Sequence, residues 1–211
     1  IWIEGRQKYR TTHPSRRNTV HRAKLAPMRA LLTTLLLLVL LSSHAQVSSI
    51  DANGRLAIME EIGVPLSRLA LVNAARTAWD RSFAMEPGAR LLRTDAENGV
   101  IEGTARVNFR STVLTAREET QGTITYQVSI HLRNGLCTVH VHDLVHRGNR
   151  DAAGGGLDIG PIASGDAPAE HYPGMGLNAS RRLHEDARSA AAARIKELLR
   201  VFGGVLRAAQ P

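Results

Sequence analysis

The spacing of apolar residues changes period twice along the chain. Between Ser67 and Phe83, the residues Leu69, Val72, Ala75, Trp79 and Phe83 recur every three or four positions. That is the stripe of a one-sided helix, with Ser67 as its N-cap and Pro87-Gly88 beyond its end. From Ala89 the period becomes two. A strand over 89–94 leads through the polar turn 95–99 into residues 100–110. There Ile101, Gly103, Ala105, Val107 and Phe109 fall on one side, and Glu102, Thr104, Arg106, Asn108 and Arg110 on the other. A sheet with one covered face requires this alternation. Residues 122–132 repeat it with Tyr126, Val128, Ile130 and Leu132 together. Asn134-Gly135 then signals a tight hairpin, with a return strand over 136–145. The period returns to helical over 183–202, where Ala187, Ala191, Ile195, Leu198 and Phe202 make the stripe. Gly203-Gly204 is expected to break that helix.

What lies between these segments completes the organisation. Residues 46–66 read as a lead-in, with a turn at 51–54 and a short strand over 55–59. Residues 67–148 are the α+β core. Residues 149–179, rich in Gly, Pro and Asp, read as a mobile loop. Residues 180–209 are a C-terminal amphipathic helix that packs on the core. The predicted fold class is α+β: a single curved antiparallel sheet of about four strands with helices on one face.

Composition first points elsewhere. A formal net charge of +8 over 211 residues suggests a nucleic-acid binder. The charge is unevenly placed, however. Residues 28–45 carry Met28, Arg29, a leucine-rich run from Ala30 to Leu41, and Ser43-His44-Ala45. That pattern is a secretory signal peptide, with cleavage expected near Ala45-Gln46 and a periplasmic or secreted destination. The apolar run is short for a membrane span, so no stable membrane insertion is expected after its removal. Residues 1–27 have no apolar period and read as untranslated sequence upstream of Met28 or as a basic leader. Eight of the 27 Lys and Arg residues and one of the 19 Asp and Glu residues precede Gln46, which leaves a nearly neutral chain. One cysteine, Cys137, excludes an internal disulfide. Aromatic residues are 4% of the chain, and none lies on the outward strand positions, which argues against nucleic-acid binding by stacking.

The candidate chemistry sits on the hairpin. A two-residue turn pairs Arg133 with Leu136, and therefore His131 with Thr138, Ser129 with His140, and Gln127 with His142. Thr125, Gln127, Ser129, His131, Thr138, His140 and His142 then share the uncovered face, opposite the apolar set. His140 and His142, with His131 as a diagonal neighbour roughly 7–8 Å away, resemble a set that zinc or copper can use. An exposed strand face asks for the same residue types with no metal at all. Asp143 falls on the covered parity and does not help the histidines; His146 shares their parity but sits at the strand exit, in a capping or turn role. Cys137 is on the apolar side and reads as core. No serine sits in a GxSxG elbow, and the Gly-rich loop matches no phosphate-binding motif.

The helix end 76-RTAWDRSF-83, the run 95-DAENGVIEGTARVNF-109, 122-GTITYQVSI-130, Asn134-Gly135 and the last strand through His146-Arg147-Gly148 together resemble a known family. It is the domain of unknown function 4468, exported Bacteroidetes proteins with a TATA-binding-protein-like fold. The resemblance implies a sheet-plus-helix fold and export, and it carries no chemistry. The expectation is thus an exported, non-enzymatic domain that binds a protein, peptide or envelope component through its open sheet face. The alternative is a histidine-based metal-binding protein.

Overall fold

The computed structural model describes residues 46–50 (backbone only), 53–152, 155–165 and 171–210. The leader and signal-peptide readings of residues 1–45 lie outside the described residues, as does part of the loop after Gly148.

Six principal strands form one antiparallel sheet: β1 (Gln46–Ile50), β2 (Leu56–Gly63), β3 (Arg90–Asp95), β4 (Val100–Phe109), β5 (Gly122–Arg133) and β6 (Leu136–Gly148). Their order is β1-β2-β6-β5-β4-β3, and a two-residue strand β7 (Gly160–Pro161) pairs with β6. Two helices, α1 (Arg68–Asp80) and α2 (Leu177–Ala208), pack on one face. The fold is α+β as expected, but the strand count is six rather than about four. The residues read as a lead-in supply both extra strands. In β2 the inward positions are Leu56, Ile58, Glu60 and Ile62, and the glutamate hides the alternation. Glu60 is buried, with the Arg207 guanidinium at 4.0 Å.

α1 starts as expected: the Ser67 hydroxyl accepts from the Ala70 N–H at 3.4 Å. It ends at Asp80, and Phe83 belongs to a separate 3-10 turn, Phe83–Met85. Its buried stripe is Leu71, Val72, Ala75, Ala78 and Trp79, while Leu69 is exposed. The stripe sits where the sheet can receive a large ring. Gly103 has no side chain, and a Cβ there would lie 2.4 Å from the Trp79 ring. Trp79, Phe83, Tyr126 and Phe202 join in one aromatic cluster, with neighbouring ring centroids 5.3 to 6.5 Å apart.

α2 does not stop at Gly203-Gly204; it runs on to Ala208. Two helical glycines cost about 1 kcal/mol each relative to Ala. Burial of Phe202, Gly203 and Leu206 against the core offsets this. The segment expected to be a mobile loop is also packed where it is described. Leu157, Ile159 and Ile162 are buried, β7 adds to β6, and Ala163 bridges to Arg55.

Candidate functional site: the open sheet face

The hairpin sorts its side chains as the turn dictates. Gln127 pairs with His142, Ser129 with His140, and His131 with Thr138. Val128, Ile130, Leu132, Cys137, Val139 and Val141 are buried beneath the helices. Gln127 and His131 are exposed; Thr125, Ser129, Thr138, His140 and His142 are half-buried. All seven stand on the face without helices. Only Gly135 of the two turn residues has a positive φ, at +80°, which is the pattern of a type II turn rather than type I′. Tertiary contacts explain the choice. The Asn134 side chain accepts from the Arg68 N–H at 2.9 Å, and the Gly135 N–H donates to the Leu66 carbonyl at 3.0 Å.

The register holds only as far as His142. Opposite Tyr126, β6 carries one extra residue, because Gln127 pairs with His142 while Thr125 pairs with Val145. Asp143 occupies this bulge with φ +54°, the only positive φ among the described non-glycine residues. Two expectations are corrected by it. Asp143 does not point to the covered side; its carboxylate reaches His142 Nδ1 at 3.1 Å. His146 does not sit in a turn or cap at the strand exit; the extra residue reverses parity and places it in the core, with no exposure.

The bulge therefore assembles a relay that sequence spacing does not show. Arg55 Nη1 stands 3.6 Å from Asp143 Oδ1, and His142 Nε2 stands 3.1 Å from Ser129 Oγ. An ionised carboxylate only accepts, so for the neutral ring Nδ1–H donates to Asp143 and Nε2 accepts from the Ser129 hydroxyl. The His140 ring stacks on His142, with centroids 4.7 Å apart and planes 27° apart. The order serine, histidine, aspartate is that of an acyl-transfer relay, but the strand pairing leaves no free backbone donors beside Ser129 among the described residues. Ser129 lies on an interior strand laddered on both sides, so the backbone N–H groups around it are taken. The arrangement holds the rings in place on a polar surface.

The three-histidine set is not assembled. Among the described residues no group of three His, Cys, Asp or Glu side chains is placed to hold a metal ion. Both ring nitrogens of His142 already have partners. Glu102 lies in the same cross-strand row as Ser129 and His140. Cys137 is core, as expected; burial, then the Glu60 charge, pushes its thiol up to about 12.

No protein-family model matches the chain. No curated protein matches it either. Solved structures similar to it include the following two. One is a DUF4468 family protein from Bacteroides ovatus, with a TM-score of 0.48 and 14% identity over 75% of this chain and 92% of that chain. The other is a TBP-like protein from Parabacteroides distasonis, with a TM-score of 0.47 and 12% identity over 74% of this chain and 96% of that chain. The family resembled in sequence and the first of these structural neighbours carry the same name.

Behind the open face, two buried histidines tie the 155–165 segment to the core. His146 Nδ1 accepts from the Ile159 N–H at 3.3 Å, and His184 Nε2 accepts from the Ala163 N–H at 3.2 Å. Burial holds the His146 imidazole down at about 4, against a smaller upward pull from Asp158. Burial also lowers His184. These two residues were missed as structural acceptors, and nothing in their local spacing marks them.

Proposed function

We propose that the protein is an exported, non-enzymatic domain whose open sheet face binds a protein, peptide or envelope component. One observation carries the reading. Seven polar side chains on β5 and β6 stand on a helix-free face, and none of them is buried. The export reading is supported by where the strands start. β1 begins at Gln46, so cleavage after Ala45 leaves every described strand whole. The non-enzymatic reading is supported by a serine whose neighbouring backbone groups are engaged in the ladder on both sides and by a thiol sealed in the core. Among the described residues, no helix is long and apolar enough to cross a membrane.

Site-directed photo-crosslinking in cells tests the face. A photo-reactive residue at Gln127 or His131 is expected to capture a discrete partner that the same group at Arg200, on α2, does not. Equal capture at both surfaces, or none at the sheet, overturns the reading. Mass analysis of the envelope fraction is expected to show a mature chain starting at Gln46; an uncleaved chain in the cytoplasm contradicts export.

The metal-binding reading at His131, His140 and His142 rests on the stacked pair alone. With both His142 nitrogens engaged, zinc addition is expected to leave the melting temperature unchanged, since a ligand that binds only the native state raises it. Stoichiometric zinc or copper binding that His140→Ala and His142→Ala abolish would restore that reading.

A further inference from the structure

At the end of the sheet opposite the Asn134-Gly135 turn lies a cleft of about 510 Å³. Arg110, Arg147 and Arg150 line it, with Asn108, Gln121 and Asn149 between them. No acidic residue is among the described residues that line it. Strand pairing sets part of this wall, because Asn108 pairs with Thr123 and Thr123 with Arg147. None of the three guanidinium groups has an acidic partner among the described residues; other arginines such as Arg76 and Arg81 also lack one, but these three share one cleft. Nearby carboxylates include Asp151, next to Arg150 in sequence, Asp158, whose Oδ1 accepts from the Gly148 N–H at 2.7 Å, and Glu119, which pairs with Arg117.

A second observation comes from behind the floor. His146 uses Nδ1 as an acceptor, so its neutral ring carries the proton on Nε2. That buried N–H has no acceptor. It lies against Gly122, a floor residue: a Cβ at Gly122 would sit 2.6 Å from Nε2 and 2.1 Å from the Arg147 carbonyl oxygen. The unsatisfied donor thus stands sealed behind the Gly122 backbone, and the cleft in front of that backbone is walled by arginines.

We propose that this cleft binds a multiply charged oxyanion, a phosphoryl or pyrophosphoryl group, held by the guanidinium forks of Arg110, Arg147 and Arg150. Arginine presents parallel N–H donors that match phosphate oxygens, and unpaired guanidinium groups in one cleft repel each other until an anion joins them. None of the seven open-face residues lines the cleft, so the site stands independently of the partner-binding reading.

Calorimetric titration of the protein with sodium pyrophosphate and with inorganic phosphate tests it. The expected result is saturable one-site binding that weakens with added salt. The pair Arg147→Gln/Arg150→Gln is expected to bind at least about tenfold more weakly, with an unchanged melting temperature. The control pair Arg76→Gln/Arg81→Gln, exposed on α1 and at its C-cap, is expected to bind as the parent does. Absence of saturable binding for both anions, or equal loss in the two pairs, overturns the proposal. Sedimentation with phosphatidylglycerol vesicles against phosphatidylcholine vesicles separates the sources. Binding that depends on Arg147 and Arg150 assigns the phosphoryl group to a lipid headgroup; pyrophosphate binding without vesicle binding assigns it to a soluble compound.

Discussion

Asp143 decides how the last long strand meets both faces of the sheet. A left-handed backbone is tolerated by Asp better than by most residues, and its short carboxylate here finds His142 and Arg55. Replacing it with a β-branched residue keeps the bulge's demand and removes the tolerance. Asp143→Val is expected to lower stability by about 1–3 kcal/mol in urea denaturation, and Asp143→Gly by clearly less. The bulge was partly legible. In 140-HVHDLVH-146, a strict alternation asks for an apolar residue at 143 and a polar one at 144, and the chain has Asp and Leu instead. One inserted residue reconciles both. Read without it, Asp143 was assigned to the core side and His146 to the strand exit, the two residues whose placement changed most.

The elements show where local propensity yields to packing. α2 passes through two glycines because Phe202 and Leu206 are buried on either side of them. Gly204 is exposed, and a Cβ there meets nothing within 4 Å. Gly204→Ala is therefore expected to stabilise the protein by about 1 kcal/mol, read by chemical denaturation. A loss of stability would mean the last turns of α2 are not helical.

The 155–165 segment shows the same override by other means. Its glycines read as mobility, but two of its backbone N–H groups, those of Ile159 and Ala163, are received by neutral imidazoles. Protonating either ring removes an acceptor and buries a charge. The sign follows from the lowered folded values. Above the ordinary histidine range both states are neutral, and pH has no effect through these groups. As pH falls from about 6.5 toward 4, the unfolded chain takes up protons that the folded chain refuses, and stability falls. For His146 the loss is on the order of 3 kcal/mol when complete. Asp158 beside His146, and Glu185 and Arg188 near His184, modulate the midpoint. Denaturation curves at pH 7 and pH 4.5 are expected to show the loss, and His146→Gln to reduce it. An unchanged pH dependence in that variant would place the titrating group elsewhere. Asp186 and Asp95, both lowered, act only below this window.

Taken together, the described residues form a six-stranded sheet with a sealed back and an accessible front. The strands β3 to β6 were legible because each keeps a strict period of two with one apolar side. β1 was not, and β2 was legible only as a short strand over 55–59, because Glu60 takes an inward position and the partner that compensates it, Arg207, lies at the far end of the sequence. The seven front-face residues were legible as a group because one turn sets their register. Their relay was not, because it depends on a bulge and on Arg55, which is distant in sequence. The most direct measurement of the front-and-back sorting is residue-resolved labelling of histidines with diethyl pyrocarbonate on the native protein. His131, His140 and His142 are expected to react, while His146 and His184 stay protected until the chain unfolds. Early labelling of His146, or protection of the three front-face rings, would contradict the account.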